Sequence, residues 1–291
     1  MDRKKDEAKK KIDEGQELLL KREYRKARQA FDDAIRLDPE NAQAYSGKAN
    51  ALFGMQELEK ALATMQKALE AAPDSREILD NYGAYLYNMA KYTEALGVAQ
   101  RLVDMEPGNA DYWHKLGAVH DALEEHDKAL EAFDKALELA PGEVEVLKDR
   151  AELLERMDRL DDALDAFRKA AEAAPGTAYF HNCRGQIFGR LGRFDEALGA
   201  FEDAVSAEPS DEYAHNGKGA ALAKLGRLAD ALSVFEGLIA KNPGSAFAWD
   251  GKAFVLKMLG RDEEAGTAQA EAKRLFRAEE SERVGGVHGN A

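Results

Sequence analysis

Residues 110–143 read ADYWHKLGAVHDALEEHDKALEAFDKALELAPGE, and the fold of the chain turns on this segment. Trp113, Gly117 and His120 step by four and three residues, and Ala129, Phe133, Ala136 and Leu137 step by four, three and one. Both spacings mark one face of a helix. Gly117 and Ala129 are small, so two such helices can approach closely, and Phe133 fills the space they leave. Pro141 has no N–H to donate and its ring clashes with a continuing helix, so the second helix ends there. The segment predicts helix, turn, helix, turn, and no strand.

The same pattern extends in both directions. The chain has seven prolines, Pro39, Pro73, Pro107, Pro141, Pro175, Pro209 and Pro243, each 34 residues after the last. With proline as position 32 of a unit, eight units cover 8–41, 42–75, 76–109, 110–143, 144–177, 178–211, 212–245 and 246–279. Residues 1–7 form a polar extension before them, and residues 280–291 are expected to be a flexible tail. Position 20 is alanine in all eight units, position 8 is always Gly or Ala, and position 24 is Phe in five. Such self-similarity at a fixed period marks a stack of identical supersecondary units. The last unit carries Gln269, Lys273 and Arg277 at positions 24, 28 and 32, which suits a terminal helix with one face in water.

This pattern resembles the tetratricopeptide repeat, with Trp113, Leu116, Gly117, Ala129, Phe133, Ala136 and Pro141 matching its signature in one unit. The resemblance implies an all-α, right-handed α-solenoid of tandem helical hairpins, with the first helix of each lining a concave groove. It also implies a role in holding other proteins or peptides.

Composition narrows the function. The chain has 291 residues, with 41 Lys and Arg against 55 Asp and Glu, a net charge of −14. That balance argues against nucleic acid and against attachment to anionic membranes, since both require a basic surface. Leu18, Leu19 and Leu20 form the only apolar run near the start, too short for a secretory or membrane segment. Cys183 is the single cysteine, which suits a reducing, cytoplasmic setting. Nineteen residues outside the repeats cannot make a catalytic domain, so no enzyme is expected. No cofactor and no metal is expected either. The six histidines lack ligand spacing, and His181 and His215 sit at position 4, where other units carry Tyr45, Trp113 and Trp249. Cys183 reads as a buried structural thiol. The Leu-Gly-Arg turns at 191–193, 225–227 and 259–261 recur between helices and read as punctuation of the repeat.

Positions 2, 5, 9 and 12 share the helix face opposite the packing stripe and are expected to line the groove. A middle zone there is acidic, with Asp80, Asp111, Asp121, Glu145, Glu152 and Glu155 partly offset by Lys148 and Arg156. It would attract a basic peptide, or serve only as a solvated face. A C-terminal zone holds Tyr179, Tyr213 and Phe247 at position 2, Asn182 and Asn216 at position 5, and Gln186 at position 9. Amides can bond a peptide backbone while rings cover its side chains. The alternative is packing, with each ring leaning on the preceding helix.

The carboxylate clamp of chaperone-binding relatives, which the resemblance brings into view, is matched at Asn50, Asn81 and Lys115. It fails at Ser46, where a lysine is needed, and at Asp111, which reverses a second cation. Chaperone-tail binding is therefore not expected. Residues 1–30 hold 11 Lys and Arg against 7 Asp and Glu, a polar cap or a surface for head-to-tail association. The chain reads as a binding module or scaffold for a protein or peptide partner, basic segments included, and as a monomer or weak homo-oligomer. A self-assembling structural protein or an accessory subunit of an enzyme complex are the alternatives.

Overall fold

The computed structural model describes residues 2–287, and among them the chain forms sixteen α-helices and no strand. It divides into two compact units, 1–141 and 142–291. The first contains α1 (Asp2–Leu20), α2 (Tyr24–Leu37), α3 (Ala42–Gly54), α4 (Leu58–Ala71), α5 (Arg76–Asn88), α6 (Tyr92–Met105), α7 (Ala110–Ala122) and α8 (His126–Leu139). The second contains α9 (Val144–Arg156), α10 (Leu160–Ala173), α11 (Ala178–Arg190), α12 (Phe194–Ala207), α13 (Glu212–Lys224), α14 (Leu228–Lys241), α15 (Ala246–Met258) and α16 (Asp262–Val287). Within each unit, successive helices pack as hairpins and each hairpin packs on the next.

The helix ends follow from local chemistry. Each 34-residue unit places one left-handed residue at position 15, between its two helices: Arg22, Gln56, Ala90, Glu124, Asp158, Gly192, Gly226 and Gly260. The following residue donates its N–H five residues back, as in Glu57 to Leu52 (3.0 Å) and Arg193 to Phe188 (2.9 Å), which closes the first helix with its carbonyls satisfied. The last three units use glycine at this position, so the Leu-Gly-Arg segments are turns of the repeat. The first helix of a unit starts at a polar cap; Asn41, Ser75, Asn109, Asp211 and Ser245 each accept a backbone N–H from the first turn.

The core is the predicted stripe. Ala27, Ala61, Ala95, Ala129, Ala163, Ala197 and Ala231 are buried at position 20, and the phenyl rings of Phe31, Phe133 and Phe167 are fully buried. The close approach is literal. A Cβ on Gly117 would stand 2.6 Å from the Phe133 ring, and one on Gly185 would stand 2.8 Å from the Phe201 ring. The Phe201 ring also faces Gly217 of the next hairpin, so one aromatic joins two hairpins.

In the last unit Lys273 and Arg277 are exposed, while Gln269 donates to Asp250 at 2.9 Å. Residues 280–287, expected as part of a flexible tail, continue α16; residues 288–291 of that expected tail lie outside the described residues. Residues 2–7, expected as a separate polar extension, are the first turns of α1.

Candidate functional site

The second unit brings four of the six expected contact residues to one place. Tyr179, Asn182 and Gln186 project from successive turns of α11, and Tyr213 from the start of α13. Together with Ala178, Cys183, Glu208 and Asp211 they line a cavity of about 420 Å³. Tyr179 is 45% exposed and Tyr213 47%, so the rings stand open to solvent at its rim.

A recurring bond fixes the rings. Tyr179 donates its hydroxyl to Glu152 Oε1 at 2.7 Å, and Gln186 Nε2 donates to the hydroxyl of Tyr213. Both partners are 27 residues apart, position 9 of one hairpin joined to position 2 of the next. The third pair in this register is Ala220 and Phe247, which have no polar group to exchange. Phe247 is 66% exposed and meets Phe276 edge-on at 5.2 Å. The Tyr179 ring also lies edge-on to Phe167 of the preceding helix, 6.5 Å between centroids. Tyr179 therefore leans on the preceding helix, as the packing alternative expects, while almost half of its surface stays exposed.

Position 5 differs from its expected open placement. Asn182 is only 8% exposed, because its Nδ2 turns toward the next hairpin and donates to Asp211 Oδ2 at 2.5 Å. Asp211 in turn caps α13 by accepting from the Tyr213 N–H at 2.9 Å. The amide oxygens of Asn182 and of its repeat equivalent Asn216 are both buried with no hydrogen-bond partner. Asp211 and Glu208 lie at the turn before α13, off the helix stripe, and a reading confined to that stripe misses them. The N-cap signal finds Asp211, an acidic residue just before a helix; Glu208, the C-cap of α12, carries no such signal.

Protonation follows burial. Burial raises the phenol of Tyr213, reinforced by Asp211 and Glu155, and raises that of Tyr179, where Glu152 accepts its hydrogen bond. Both phenols stay neutral, Tyr179 as a donor to Glu152 and Tyr213 as the acceptor of Gln186. Burial also pushes the Cys183 thiol up to about 11, so this free cysteine is a protonated packing group. His181 is lowered by burial, against the pull of Asp203.

The acidic zone is internally compensated in each unit. In the first, Lys115 bonds Asp80 at 2.5 Å and Asp111 at 2.7 Å. Burial works against its charge, but the two bonds outweigh it and hold the ammonium above its ordinary range. Asp121 lies 3.4 Å from His126 Nδ1. In the second, Lys148 pairs with Glu145, and Arg190 pairs with Glu155 at 3.0 Å. Of the residues that match the carboxylate clamp, Lys115 is thus engaged, and Asn50 accepts the Tyr85 hydroxyl at 2.5 Å.

Position 4 has a shared structural duty. Trp113 Nε1 and Trp249 Nε1 donate to the carbonyls of Pro107 and Pro243 at 2.9 and 3.0 Å, and His215 Nε2 meets the Pro209 carbonyl at 3.1 Å. Among the described residues no group of three His, Cys, Asp or Glu is placed to hold a metal ion. No described helix is long and apolar enough to cross a membrane.

Family models described as tetratricopeptide repeat match residues 12–76, 183–246 and 108–176. A comparison with curated proteins finds no match. Similar solved structures include MamA from Desulfovibrio magneticus, 24% identical with a TM-score of 0.55 over 58% of this chain and 96% of that one. PilF of Pseudomonas aeruginosa is 21% identical, with a TM-score of 0.59 over 72% of this chain and 96% of that one. YrrB, described as a TPR protein with an unusual peptide-binding site, is 28% identical, with a TM-score of 0.52 over 65% of this chain and 97% of that one. The matched models cover more than half of the residues, and the hairpins repeat in both units. The chain therefore belongs to the tetratricopeptide-repeat family, whose members are typically non-catalytic protein-interaction modules.

Proposed function

We propose that the second unit captures an extended segment of a protein partner along the face formed by Tyr179, Asn182, Gln186, Tyr213, Asn216 and Phe247, without covalent chemistry. The observation that carries this reading is the cavity beside two half-exposed phenol rings. Tyrosine offers a large, stiff, amphipathic contact at small entropic cost, the property that makes it common at binding hot spots. Exposed rings in successive hairpins suit a chain that runs along the stack, with the exposed amide of Gln186 beside its backbone. The peptide-binding site named for YrrB makes such a use of this fold reasonable. On this reading the protein is a scaffold, and its unpaired, protonated cysteine suits a reducing cytoplasm.

The test is partner capture by the chain carrying Tyr213→Ala and Asn216→Ala. Capture in a pull-down from the native host falls about tenfold, the loss of one interface hot spot, while circular dichroism stays helical. Undiminished capture removes this face from the function.

A further inference from the structure

The cavity of the second unit is chemically one-sided. Its wall carries two carboxylates, Glu208 and Asp211, and two phenol rings, Tyr179 and Tyr213, with no Lys, Arg or His to offset them. Its buried amide is also short of a donor. A carboxylate only accepts, so the Asn182 NH₂ must face Asp211, and this fixes the amide oxygen on the other side. That oxygen is recessed, buried and without a hydrogen-bond partner, on a side chain 8% exposed. The site therefore presents acceptors and π faces in excess of the positive charge and N–H groups that would satisfy them.

Each class of side chain from a bound segment meets a different fate here. A carboxylate would face Glu208 and Asp211 at close range. An aliphatic side chain would cover both of them and return neither charge nor hydrogen bond. A lysine or arginine brings the missing charge, directs N–H groups to the carboxylates and lays its cation against the electron-rich ring faces. About 420 Å³ accommodates such a side chain. Resting on the groove reading above, we infer that this cavity is a recognition pocket for a cationic side chain, the ammonium of lysine or the guanidinium of arginine, in the captured segment. The selectivity comes from Glu208, Asp211 and the two rings, and owes nothing to the net charge of the chain.

A phage-displayed library of random dodecapeptides, panned against the full chain and against the Tyr213→Ala, Asn216→Ala variant, tests the pocket. Peptides kept by the parent and lost by the variant should carry Lys or Arg at one recurrent position. Replacing that residue by norleucine in the synthetic peptide should weaken binding about tenfold. Glu208→Gln with Asp211→Asn should weaken the parent peptide as much, since asparagine still caps α13. The norleucine comparison uses the unaltered protein, so it decides the matter even if the double variant folds poorly. Groove-dependent peptides with no recurrent cation, or with equal binding after the norleucine change, overturn the pocket and leave the groove standing. No peptide dependent on Tyr213 and Asn216 overturns both.

Discussion

The two units share a hairpin and differ in what they do with the face of its first helix. At position 2 the first unit carries Lys9, Gln43, Glu77 and Asp111, where the second carries Glu145 and then Tyr179, Tyr213 and Phe247. The first unit satisfies its polar groups with compact bonds between neighbouring hairpins, Lys115 to Asp80 and Tyr85 to Asn50. The second satisfies its hydroxyls through Glu152 and Gln186 while leaving ring area exposed. Only the second joins these bonds to a run of exposed rings in successive hairpins, and it also buries the unmet amide oxygens of Asn182 and Asn216. The difference shows that a sum of charges says little about such a surface, because most groove carboxylates already have partners.

The largest way to break the symmetry is at position 24. The first unit tolerates Ala99 there, because Val98 beside it reaches the space over Gly83, where a Cβ would stand 3.2 Å from Val98 Cγ1. The second has Phe201, with the small Ala200 in the position of Val98. Phe201→Ala should cost about 3–5 kcal/mol, the usual loss for emptying an aromatic site, because Gly185 and Gly217 both lose their partner. Urea unfolding followed by circular dichroism reads the loss, and hydrogen exchange should assign it to residues 142–291. Adding Ala200→Val should recover part of it; no recovery would mean that Val98 is not what makes Ala99 tolerable.

A smaller effect of opposite sign in the two units is expected at the left-handed turns. Gly226 has φ +76° and Ala90 φ +55°. A side chain in that region costs about 1–2 kcal/mol. Gly226→Ala should therefore destabilise the second unit by about 1 kcal/mol, and Ala90→Gly should stabilise the first by somewhat less, because glycine gives back unfolded-state entropy. Thermal melts of the two variants, moving in opposite directions, check the pair.

The ends of the second helices were legible because proline cannot continue a helix and recurs at a constant interval; the ends of the first helices were marked by glycine in only three units. The packing of Phe133 and Phe201 against glycine was legible for a similar reason, since small and large residues alternate in a fixed register. The groove was legible only as a face. Helix periodicity says which side chains point together, and Tyr179, Asn182 and Gln186 do line one cavity, although Asn182 is buried there. It says nothing about reach into the next hairpin, so the bond from Gln186 to Tyr213 and the turn of Asn182 to Asp211 were not legible. Those contacts depend on how far one hairpin is offset from the next, a property of the stack. Once seen, the offset becomes a rule that sequence can use in the second unit: position 9 meets position 2 of the following hairpin, 27 residues on.

That rule carries the smallest and sharpest prediction. The second unit repeats the rung twice and then breaks it at Ala220 and Phe247. Phe247→Tyr alone adds a hydroxyl with no donor opposite, and Ala220→Gln alone adds an amide with no phenol, so each should change stability little. Together they should build a third rung, with the position-9 glutamine donating to the new hydroxyl as Gln186 donates to Tyr213. The coupling between the two changes should be about 0.5 kcal/mol, the low end for a hydrogen bond because the site is open to water. A double-mutant cycle measures that coupling apart from the separate effects of each substitution. The same cycle at Ala84 and Asp111→Tyr in the first unit, where Lys115 already holds Asp111, should give no favourable coupling, because the tyrosine would first have to replace an ion pair. If both units responded alike, the offset alone would set the rung and the difference between the two faces would be one of composition only.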